Sequence, residues 1–161
     1  MTKWEERPIE VANLLNPAFC SVLLYQAIKG YRQEAKTNMP YPLLFLILPI
    51  VLHKSTRESL PRSIATKFHA WLEQNQNQKI SFAARTRQMV FYTKEALTFG
   101  MKQGIINIDN NGLIVSKNIS KLKTTKTSEV YQCSQRALFL GRWFSKAGDI
   151  TTIFMMWGIC P

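Results

Sequence analysis

The chain has 161 residues, carries 21 Lys+Arg against 10 Asp+Glu for a formal net charge of +11, and is 46% hydrophobic. That length suits one domain, and the apolar share excludes an intrinsically disordered chain. Two Asp (Asp109, Asp149), two His (His53, His69) and three widely separated Cys (Cys20, Cys133, Cys160) leave few groups for a triad or a metal centre. No catalytic residue, cofactor or metal is expected.

The opening MTKWEERPIE has no apolar segment of the kind that forms a secretory signal. The odd, unpaired cysteines read as reduced packing residues, so a cytoplasmic location is expected. Asn16-Pro17 pairs a capping residue with proline at the first helical position. Behind it Phe19/Cys20, Leu23/Leu24, Ala27/Ile28 and Tyr31 recur at steps of three and four, which predicts a helix ending between Glu34 and Asn38. Leu43 to Leu52, LLFLILPIVL, carries no charge. As a helix it would reach only about 15 Å against the roughly 30 Å of a bilayer core, so it is predicted as a buried helix and no membrane contact is expected.

His53 to Pro61 reads as a polar turn. Ile64, Phe68, Trp71 and Leu72 share a helical face that stops in the amide run Gln74 to Gln78, expected as a surface loop. From Phe82 to Met101 apolar residues repeat at about 3.5, with Ser81 as the N-cap. This segment is open to two readings: a single helix of about twenty residues, or two helices parted near Tyr92-Thr93 in a helix-turn-helix. Gly104 ends it. Ile105 to Ile108, the turn Asp109-Asn110-Asn111-Gly112, and Leu113 to Val115 predict a β-hairpin. A helix running straight into a hairpin is the closing pattern of a winged helix. Glu129 to Lys146 is the next helix, and Gly148-Asp149 provides a stop and a new cap. The expected fold class is therefore mainly α: one helical domain over 1–161, with a winged-helix-like element at about 62–116 and C-terminal helices at about 129–161.

Basic residues fall 5, 5, 5 and 6 to the successive quarters of the chain and acids 4, 2, 2 and 2, so no dedicated basic arm exists. Two basic groupings are candidates for DNA or phosphate contact: Arg85, Arg87, Lys94 and Lys102 before the hairpin, and Lys117, Lys121, Lys123 and Lys126 after it. Against each stands the plain reading of a solvated basic surface. His53 and His69 read as structural, because no nucleophile is paired with either beyond the turn residues Ser55, Thr56 and Ser59. The Gly-Lys-Ser/Thr of a phosphate loop does not occur. The charge-free ending ITTIFMMWGICP and the off-stripe aromatics Phe91, Tyr92, Phe99, Phe139 and Trp143 point to burial against a partner. The residues expected at that interface are Phe139, Trp143, Phe154, Met155 and Trp157. Truncation after Gly148 is then expected to abolish partner binding while leaving helix content near wild type.

EVANLLNPAFCSVLLYQAIKGY (Glu10 to Tyr31), MPYPLLFLILPIVLHKSTRESLP (Met39 to Pro61) and YTKEALTFGMKQGIINIDNNG (Tyr92 to Gly112) resemble the middle component of bacterial three-component ABC-ATPase systems. The ending Trp157-Gly158-Ile159-Cys160-Pro161 looks like that family's Gly-x-x-Pro terminus. The resemblance covers nearly the whole chain, but the Lys-rich stretch from Lys117 to Lys126 is less familiar and takes no role from it. It implies a non-catalytic, helical adaptor with winged-helix elements. Such a protein would link an SMC- or Rad50-like ABC ATPase to an effector in anti-phage or anti-plasmid defence, as Lamassu-like systems do; the spread basic surface is expected to add a weak DNA contact within the complex. The alternative is an autonomous winged-helix DNA-binding regulator.

Overall fold

A computed structural model describes residues 6–120 and 124–160. The elements in order are α1 (Ile9–Leu14), α2 (Pro17–Ala35), a 3-10 turn (Tyr41–Leu43), α3 (Leu44–Val51), α4 (Lys54–Ser59), α5 (Phe68–Gln74), a second 3-10 turn (Gln76–Lys79), α6 (Phe82–Lys102), β1 (Ile106–Asp109), β2 (Gly112–Val115), α7 (Glu129–Phe144) and α8 (Ile150–Met156). The protein is mainly helical with a small antiparallel hairpin.

The caps read from sequence form at both ends of the chain. Asn16 Oδ1 accepts the Ala18 N–H at 2.8 Å, and Asp149 Oδ1 accepts the Thr152 N–H at 2.7 Å. Helix α2 is the hub: Leu23, Leu24, Ala27 and Ile28 are buried, and it packs against α3, α6, α7 and β2. By length and composition the stretch Ile9–Ala35 would also pass as a membrane span, but in this fold its α2 part lies in the protein core. Helices α2 and α7 cross at glycine. A Cβ on Gly141 would collide with the Ala27 carbonyl, and one on Gly30 with the Leu138 carbonyl. Glu34 ties the same pair together, accepting Arg142 at 2.7 Å and Lys146 at 3.5 Å, and these cations hold its carboxyl below the usual range.

Three local readings change. His53 to Pro61 contains helix α4, because His53 Nδ1 accepts the Thr56 N–H at 3.3 Å and so serves as the cap. The helix buries Arg57, which donates to the Val51 carbonyl at 2.7 Å and to Glu129 at 2.6 Å, joining α3, α4 and α7. Within the amide run, Gln78 is buried and accepts the Thr56 hydroxyl at 2.8 Å. Ser81 precedes α6 as expected but stands at φ 60° and makes no side-chain cap bond. Helix α1 has no counterpart in the sequence reading and contributes no buried residue.

The open question about residues 82–103 is answered: α6 runs unbroken for 21 residues. Gly104, at φ +68°, turns the chain into the hairpin, which pairs Ile106 with Val115 and Asp109 with Gly112. Asp109 Oδ1 accepts the Asn111 N–H at 2.7 Å and fixes the turn. Met39 adds a bridge on the far side of β2, exchanging both backbone hydrogen bonds with Leu113 (3.2 and 2.8 Å). The hairpin therefore depends on a residue far upstream of position 62.

The C-terminal segment folds back. Ile153 and Trp157 are fully buried, and Trp157 stacks on Phe82 with centroids 3.9 Å apart. Trp143 lies edge-on to Phe68 and Trp71, and its Nε1 donates to the Thr66 carbonyl at 2.6 Å. The expectation that truncation after Gly148 spares the fold is corrected on this basis. Ile153, Phe154 and Trp157 would each forfeit roughly 1.5–3 kcal/mol of burial. Deleting residues 149–161 is thus expected to cost about 5–9 kcal/mol, on the scale of a whole domain's stability, and circular dichroism should show lost helix content.

A second expectation concerns the glycine crossing. Overpacking costs about 1–3 kcal/mol, while Gly-to-Ala in a helix returns up to about 1 kcal/mol. Gly141→Ala drives its methyl into the rigid backbone of α2 and should lose about 3 kcal/mol or more in urea unfolding. Gly100→Ala meets only the Ile106 side chain and should fall within about 0.5 kcal/mol of wild type.

Candidate partner-binding face

Helix α6 presents two sides of different character. Phe82, Thr86, Thr93, Ala96, Leu97 and Gly100 turn inward against α2 and α3, whereas Arg87, Gln88, Lys94, Thr98, Met101 and Lys102 are exposed. This outer face lies between two depressions that share Lys94 as a common rim. The first, about 460 Å³, has Phe91, Thr98 and Phe99 in its wall and Pro17 of α2 opposite. The second, about 540 Å³, runs between α6, the 3-10 turn with Tyr41 and Pro42, and the returning C-terminal segment at Ile150, Phe154 and Ile159.

Glu95 is the one acid on α6, and Arg7 neutralises it. The Arg7 guanidinium meets both carboxylate oxygens at 2.9 Å and rests 5.5 Å above the rings of Phe91 and Tyr92. The net charge of the outer face is thus carried by Arg87, Lys94 and Lys102.

Of the residues expected to contact DNA, these three share a face. Arg85 does not join them. Its guanidinium folds over the Phe82 ring at 5.3 Å and donates to the Thr56 hydroxyl at 3.3 Å, and burial draws its pKa below the ordinary value. It is committed to the fold, in a polar cluster where burial, with Arg85 and Arg57 nearby, also pulls the His53 imidazole down. Lys117 and Lys126 are exposed in the connection between β2 and α7 and line neither depression, while Lys121 and Lys123 lie outside the described residues.

The aromatic interface set is corrected by burial. Trp143 and Trp157 belong to the core and offer no surface. Phe154 is buried with one edge in the wall of the second groove, and Phe139 is half-buried beneath the Arg136 guanidinium at 5.3 Å. Met155, at 66% exposure, is the only member of the five that stands free in solvent. What sequence reasoning missed is the groove itself, with Tyr41, Pro42, Phe45, Val90 and Ile159 along it. Val90 and Phe91, apolar residues outside the inward stripe of α6, were its available signal.

The cysteines divide as well. Cys20 and Cys133 are buried and free, with burial raising the Cys20 thiol to about 12 and the Cys133 thiol in the same direction. Cys160 departs from the packing role expected of all three: it is exposed, at the end of the second groove. Among the described residues no three His, Cys, Asp or Glu side chains gather at a spacing that suits a metal ion.

Comparison with curated proteins and with solved structures returned no match. The family model for the ABC-three component (ABC-3C) system Middle Component 3 matches residues 4–161. Middle components of these systems are not a known enzyme family. With the match spanning nearly every residue, the chain belongs to the Middle Component 3 family of ABC-three component systems.

Proposed function

We propose that this chain is a non-catalytic adaptor that joins an SMC- or Rad50-like ABC ATPase to a third, effector component in a bacterial defence system directed at phages or plasmids. The observation that carries this reading is the outer face of α6. It is left uncovered and flanked by two apolar depressions, while the aromatic residues of the C-terminal segment seal the core beneath it. Family membership supplies the context, since a middle component works with the other members of its system.

The ground plan supports the same reading. Helix α2, the bridge at Met39, helix α3, helix α6 and the hairpin β1–β2 follow the order of a winged helix, with α4 and α5 inserted before its third helix. We read the winged-helix-like unit, expected from the sequence at about 62–116, as reaching back to α2, within one domain that also holds α7 and α8. In that plan α6 occupies the position of the recognition helix, a position that serves protein contacts as well as DNA.

Co-production of all three components provides the test. The expected outcome is a ternary complex in which ATPase and effector fail to associate once this chain is omitted. Undiminished association without it would overturn the adaptor role. A second reading, autonomous DNA binding, is favoured by the alignment of Arg87, Lys94 and Lys102. For three phosphates neutralised it predicts that log affinity for duplex DNA falls with log salt at a slope of about −2.7. Absence of duplex binding by the isolated protein at low salt would remove it.

A further inference from the structure

We infer that the groove between α6, the Tyr41–Leu43 turn and the C-terminal segment is a docking site for an acidic, apolar segment of another component of the system, an inference that rests on the adaptor reading above. The groove floor is built from the small side chains Ala83, Thr86 and Val90, one and two turns apart on α6, and Phe45 and Phe154 contribute to its walls. Its volume, about 540 Å³, accommodates a few apolar side chains rather than a whole domain face.

Charge decides what kind of segment fits. Among the described residues, Arg87 and Lys94 are the only charged ones lining the groove, and both are exposed. They stand seven positions apart on one helix, about 10.5 Å along its axis. Glu95, the one acid of α6, is held by Arg7. Two cations with no ion pair among the described residues flank an apolar trough and complement a segment with apolar anchors between carboxylates, and like charge disfavours a basic segment or a second copy of this +11 chain.

Cys160 makes the site addressable, because it borders the groove while Cys20 and Cys133 are buried. The experiment uses the full chain with the two other components. Wild type, Arg87→Glu/Lys94→Glu and the control Lys117→Glu/Lys126→Glu are compared by titration, and in parallel a photo-crosslinker on Cys160 maps the contacted partner segment by mass spectrometry. The groove variant is expected to bind at least about tenfold more weakly with an unchanged melting temperature, the control to stay within about twofold, and the crosslink to fall in a segment rich in Asp or Glu and apolar residues. Lysines substituted for those carboxylates should restore binding to the groove variant. Equal binding by the groove variant and wild type overturns the inference, as does a crosslink to a second copy, to DNA or to a basic segment. If the wild-type chain forms no complex at all, the adaptor reading itself fails, an outcome distinct from a complex that ignores the groove.

Discussion

The close crossing of α2 and α7 is the constraint on which the other contacts depend. Gly30 and Gly141 let two helix backbones meet with no side chain between them, and Glu34, Arg142 and Lys146 bind the same pair of helices at the surface. Since α2 also contacts α3, α6 and β2, its distance from α7 sets the space left for everything else. A close-packed interior transmits such a change rather than absorbing it. The buried Arg57, reaching the end of α3 with one nitrogen and Glu129 of α7 with another, is aligned only when that distance holds.

From this crossing follows the separation of core and surface. With α2 and α3 occupied, the apolar stripe of α6 has one place to go, which turns Arg87, Lys94 and Lys102 outward. Trp157 then closes the remaining gap by stacking on Phe82, and in doing so places Phe154 and Ile159 along the groove. The aromatic residues of the C-terminal segment hold the wall of the groove from within. What lines the groove surface beside them are residues of modest character: Val90, Tyr41, Pro42 and two cations.

Legibility in the sequence followed the range of each signal. Helix α2, the hairpin and α8 were readable because caps, turn residues and periodicity act within a few positions: Asn16 on Ala18, Asp109 on Asn111, Asp149 on Thr152. Helix α4 was hidden because histidine is an unusual cap and the residues that justify burying Arg57 lie in other elements. Two residues expected at a partner interface, Trp143 and Trp157, turned out to be core for a related reason. Hydrophobicity marks residues that leave water, but it carries no record of whether the shelter is the chain's own core or another protein.

By itself the sequence determined a mainly helical protein with one hairpin, a widely spread positive charge, scant material for catalysis, and kinship to the middle components of ABC-three component systems. Only the tertiary structure decided that α6 is unbroken, that Met39 completes the hairpin, that Arg85 turns inward while Arg87 and Lys94 turn out, and that Trp143 and Trp157 are core. Each of these depends on contacts between residues far apart in the chain. Their geometry is set by how closely the helices pack, a quantity that no local pattern of residues encodes.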